Sequence, residues 1–72
     1  MDDRTRYETV KSRLRAMGEA TAQQLHDALE PTPYSVREVE NTLDELVVNE
    51  KEEFAKAGTL YRWTKHYRFR TR

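Results

Sequence analysis

The chain has no cysteine, and only two glycines, two prolines and one tryptophan among 72 residues. Without cysteine there is no disulfide, no thiolate metal site and no cysteine nucleophile, which suits a reducing compartment. No apolar run is longer than Leu46-Val47-Val48, so nothing in the sequence is long enough to span a membrane. The opening MDDRTRYE lacks an apolar core, which predicts no secretory leader and a cytoplasmic protein. There is no glycine-rich phosphate loop. His26 has no partner at metal-ligand spacing and reads as an edge-of-core or surface residue. Ser12 and Ser35 have no triad partner that the sequence places. The expectation is therefore no enzyme, no metal and no cofactor.

A net charge of zero hides a strong segregation. Residues 1–18 hold five basic side chains against three acidic ones. Residues 19–50 hold Arg37 alone against eight acids, and residues 51–72 hold seven basic against two acidic. A polyanion should favour the two ends of the sequence over its middle. Charged and hydrophobic residues each make up 36% of the chain, so the core must be thin. The apolar residues are nonetheless periodic, which argues for folding over disorder. There are no repeats and no Gly/Ser linker, so residues 1–72 are read as one domain.

Three helices are predicted. The first runs from about Arg6 to Met17, with Thr5 and Glu8 as a capping box and Gly18 as C-cap. Tyr7, Val10, Leu14 and Met17 form its apolar stripe. Arg4 and Arg6 lie off that stripe, either on a solvated face or against phosphate. Glu19-Ala20 is a short extended link or a one-bond strand. Thr21 opens the second helix, with Gln24 closing its box, and Ala22, Leu25, Ala28 and Leu29 face inward. Glu30-Pro31-Thr32-Pro33 ends it, since proline cannot continue a helix. The third helix follows in PYSVREVENTLDELVVN. Ser35 is the N-cap, Glu38 completes the box, and Tyr34 with Val39 forms a hydrophobic staple. Val36, Val39, Leu43, Leu46 and Val47 fall on one stripe. Arg37, Glu38, Glu40, Asn41, Asp44 and Glu45 occupy the other face.

A hairpin is expected next. Glu52 to Lys56 reads as a strand, Ala57-Gly58 as a tight turn, and Thr59 to about His66 as the returning strand. That loop sets Lys56 opposite Thr59, Phe54 opposite Tyr61 and Glu52 opposite Trp63. Phe54, Tyr61 and Trp63 then share a face that covers the third helix. Trp63 and the tail tyrosine read either as core aromatics or as stacking platforms for single-stranded nucleic acid. The tail, residues 67–72, alternates aromatic and basic side chains, as an extended strand or a basic arm.

The order helix, link, helix, turn, helix and then EFAKAGTLYRW resembles the small winged helix-turn-helix domains of bacterial, archaeal and phage regulators. The resemblance spans roughly residues 5–66 and rests most on LDELVVNEKEEFAKAGTLYRWT, where a third helix runs into an aromatic-rich hairpin. It implies a mainly α fold of three helices plus a two-stranded wing. It also implies sequence-specific double-stranded DNA binding as a transcriptional regulator, often as a homodimer. The third helix would enter the major groove and the wing would meet the backbone or minor groove. Carried over, the groove-facing residues would be Thr32, Tyr34, Ser35, Arg37, Glu38, Asn41 and Thr42. The wing would offer Lys56, Thr59 and Arg62. Arg37 suits guanine or phosphate, and Asn41 suits adenine.

The acids of the third helix depart from that pattern, because a carboxylate row is repelled by phosphates. Three resolutions stay open. The helix could dock through its N-terminal turn and Arg37. The basic wing and tail could bind instead. Or the acidic helix could be the docking face of a protein-interaction module.

Overall fold

The computed structural model describes residues 3–65. Helix α1 spans Asp3–Met17, strand β1 Glu19–Thr21, helix α2 Ala22–Leu29 and helix α3 Val36–Asn49. Strands β2, Phe54–Ala57, and β3, Leu60–Trp63, follow. The architecture is mostly helical with a hairpin after the helices, a winged-helix layout. The strands form one antiparallel sheet in the order β1-β3-β2. The predicted link at Glu19-Ala20 is thus part of a third strand, which adds to the two-stranded wing to make the sheet three-stranded. β1 pairs Glu19 with Arg62 and Thr21 with Leu60.

Local chemistry explains where the helices begin and end. The Thr21 hydroxyl accepts the Gln24 backbone N–H while the Gln24 side chain accepts that of Thr21. Ser35 and Glu38 do the same for α3, at 3.1 and 2.8 Å. Each box satisfies two amides that a helix start leaves without partners. Gly18 ends α1 with φ 86° and donates to the Leu14 carbonyl at 2.8 Å. The predicted box at Thr5 is not formed, because α1 starts at Asp3 and Thr5 lies inside it. An acid in the first turn suits the positive helix end.

The hairpin register differs from the expected one by two residues. Phe54 opposes Trp63, Lys56 opposes Tyr61 and Ala57 opposes Leu60, leaving Gly58-Thr59 as the loop. Gly58 has φ 65° and no other hairpin residue has a positive φ. This places glycine first in the loop, as a type II′ turn requires, rather than second. A slip of two residues preserves the alternation of faces. Phe54, Tyr61 and Trp63 therefore still share the core-facing side of the sheet, and both Phe54 and Tyr61 are buried.

The core joins all elements: Val10 and Leu14 of α1, Ala20 of β1, Leu25 of α2, Val39, Leu43 and Leu46 of α3, and Phe54 and Tyr61 of the sheet. Tyr34 packs into it from the α2–α3 turn. Its burial with Val39 matches the staple expected from sequence. The tail at 67–72 and the strand end near His66 lie outside the described residues.

Candidate nucleic-acid interface

The segment leading into α3 is fixed on both sides. The Glu30–Pro31 peptide is cis. The His26 Nε2 lies 3.0 Å from the Tyr34 carbonyl oxygen, which ties the end of α2 to the residue before the α3 cap. The Thr32 hydroxyl accepts the Tyr34 backbone N–H at 3.3 Å. A histidine that read as a bystander is thus a tie between helices. Only the turn's return toward α2 brings the two together, so sequence spacing gives no sign of it.

Two of the proposed groove contacts are turned inward. Tyr34 is 8% exposed, its ring in the core, so its side chain is not offered to a groove. Thr42 is 1% exposed; its hydroxyl donates to the Glu38 carbonyl at 2.8 Å and accepts Arg6 Nε–H at 2.8 Å. A polar residue on the inner side of α3 is tolerated because both capacities of its hydroxyl are met. Arg6 is consequently packed between α1 and α3, with Asp3 at 3.6 Å. Ser35 is exposed, but its hydroxyl already serves the cap. Arg37 and Asn41 are exposed and stand one helical turn apart on the same face.

Two of the four acids of α3, Glu38 and Asp44, are engaged by neighbouring groups. Glu38 reaches back to the cap. Asp44 Oδ1 accepts the Tyr61 hydroxyl at 2.5 Å and the Lys56 ammonium at 3.2 Å. Tyr61's hydroxyl, more than Lys56, holds the Asp44 carboxyl below the usual carboxylate range against burial that would raise it. Glu50, beyond the helix, accepts the Tyr7 hydroxyl at 2.7 Å and pairs with Lys11 at 2.9 Å. Its carboxyl is likewise lowered, by Lys11 first and Tyr7 second. Glu40 and Glu45 remain exposed.

The wing's cations are committed to acids, and to different faces. Lys56 sits 5.1 Å over the Tyr61 ring beside Asp44. Arg62 points to the opposite sheet face, where its Nε is 3.3 Å from Glu19 of β1. Thr59 is exposed at the hairpin tip. Trp63 is half-buried and its indole donates to Glu53 at 2.9 Å, next to Arg15 at 2.7 Å. Burial alone would raise Glu53, but the bonds from Trp63 and Arg15 outweigh it and lower the carboxyl. The indole therefore joins sheet to α1, and is not laid open as a stacking platform. Arg37, Asn41 and Lys56 thus lie on or beside the exposed side of α3, whereas Arg62 does not join them.

Among the described residues no group of three or more His, Cys, Asp or Glu could hold a metal ion, and no helix is long and apolar enough to cross a membrane. One surface depression is lined by Glu8, Thr9, Ser12, Arg13, Ala16 and Leu29, and includes no residue of α3 or the hairpin. No family model, curated protein or solved structure matches the chain.

Proposed function

We propose that this chain is a small transcriptional regulator that binds double-stranded DNA, presenting the first half of α3 to the major groove. One observation carries the reading. Arg37 and Asn41 share an exposed face near the positive end of α3, while Glu38 and Asp44, the acids nearest them in the sequence apart from Glu40, are engaged in the cap and the wing. A helix start offers oriented N–H groups and positive potential to phosphate. Arginine and asparagine are the side chains suited to guanine and adenine edges. A single face of this size reads a few base pairs, so the reading includes a homodimer on two half-sites. It also implies a cytoplasmic location.

The test is duplex binding titrated against salt. Wild-type affinity should fall steeply with salt concentration. Arg37→Ala should cost about 1–3 kcal/mol on a selected site. Failure to bind any duplex at low salt would remove the proposal.

Val48 favours a second reading, a protein-interaction module docking through α3. It is 73% exposed, the one large hydrophobic side chain so exposed among the described residues. Its neighbours Glu45 and Asn49 are exposed as well. Loss of a protein complex on Val48→Asp or Glu45→Lys, with no DNA binding by the wild type, would select it.

A further inference from the structure

The exposed face of α3 continues from Arg37 and Asn41 to Asp44, which lies three residues beyond Asn41 and therefore next to it. There the wing reaches α3. Tyr61 is buried in the core, and its hydroxyl fixes Asp44 Oδ1 at 2.5 Å. The same oxygen holds the Lys56 ammonium at 3.2 Å, with the Tyr61 ring beneath it. A backbone phosphate approaching this point meets a neutral pair. It gains a cation only if Lys56 leaves Asp44, and the exchange then strands a carboxylate beside the phosphate.

We infer that Asp44 is a built-in brake on DNA binding: it withholds Lys56 from phosphate, so that removing its charge strengthens binding. The inference rests on the DNA-binding reading above and goes beyond it, by assigning affinity control to an acid that touches no base. Both partners lie partly open to solvent, Lys56 at 37% and Asp44 at 47% exposure, so the exchange needs no unfolding. Asn at position 44 still accepts from Tyr61, so the wing keeps its neutral attachment while Lys56 is released.

The experiment compares wild type, Asp44→Asn, Lys56→Ala and the double variant. Each is titrated with one generic duplex across a salt series, and each is melted without DNA. Release of one lysine to phosphate steepens the log K against log salt slope of Asp44→Asn by about 0.9. It tightens binding by about tenfold near 50 mM salt. The double variant loses that gain. Lys56→Ala should change the slope much less in the wild-type background than in Asp44→Asn.

A purely structural Asp44 would lower melting temperature and affinity together, whereas the brake predicts tighter binding whatever the melting temperature does. If Asp44→Asn binds no tighter, or Lys56→Ala flattens the wild-type slope by the full amount, the brake is wrong and the DNA reading stands. Even if Asp44→Asn folds poorly, a full flattening of the wild-type slope by Lys56→Ala still overturns the brake. If wild type and Asp44→Asn both fail to bind at low salt, the reading and the brake fall together.

Discussion

The same trio of side chains occurs twice, once on each flank of α3. On the α1 side, Tyr7 and Lys11 converge on Glu50. On the wing side, Tyr61 and Lys56 converge on Asp44. Both set a phenol and an ammonium on one carboxylate, yet their exposure differs. Lys11 and Glu50 are 17% and 25% exposed, against 37% and 47% for Lys56 and Asp44. Shielded charges interact strongly and are poorly screened; exposed ones are weak and exchangeable. The chemistry that staples α1 to α3 is therefore, on the wing, a contact that a competing anion can open.

Leu46→Ala should break both trios at once. Leu46 is fully buried on α3 between them in sequence, and the cavity should cost about 2–5 kcal/mol in urea or thermal unfolding. Retention of near-wild-type stability would mean that the flanks, not the core, hold α3.

Next in size, Glu50→Gln should separate the two sites. It leaves the shielded Lys11 without its charge partner, at about 1–3 kcal/mol. Asp44→Asn should cost less, because Lys56 can turn to water. Equal losses in denaturant melts would erase the distinction between staple and exchangeable contact.

The pH profile sharpens it further. Asp44, Glu50 and Glu53 are lowered in the fold, so the unfolded chain binds protons first as pH falls. Their stabilisation is full above the ordinary carboxylate values and is lost as pH falls through the folded ones. Tyr7 and Tyr61 are raised, chiefly by burial, so the opposite limb appears. Stability should decline as pH climbs past the ordinary phenol value near 10, where the unfolded chain ionises first. Melting temperature against pH should show both limbs, and Glu50→Gln should flatten the acid limb more than Asp44→Asn.

Salt should give the smallest effect. Moderate salt should lower the melting temperature of wild type slightly, and that dependence should shrink in Asp44→Asn more than in Glu50→Gln.

Much of the fold is legible because it is local. Thr21 with Gln24, and Ser35 with Glu38, are three residues apart, and a helix start brings such pairs together wherever it occurs. The Val39, Leu43 and Leu46 stripe follows from the helical period, and all three are buried. The hairpin shows the limit. Its faces were readable from alternation, but its register turned on whether Gly58 is first or second in the loop. The third strand was half visible, since Glu19-Ala20 read as an extended link or a one-bond strand, with no sign that β3 is its partner.

The candidate site was less legible. Arg37 and Asn41 follow from helix geometry. Thr42 was a groove residue only by the winged-helix resemblance; Arg6, 36 residues away, together with the Glu38 carbonyl makes its burial tolerable. Tyr34 carried two expectations, staple and base contact, and its ring cannot serve both.

Sequence alone determined the starts of α2 and α3 at their caps, the apolar stripes, the glycine that ends α1 and the crowding of acids between residues 19 and 50. Those depend on neighbours within a few positions, which the covalent chain itself holds close. Tertiary structure decided which acids face solvent and which are matched, because Tyr61 meets Asp44 across 17 positions and Tyr7 meets Glu50 across 43. Charge is a property of residues, but its availability depends on what folding sets beside it.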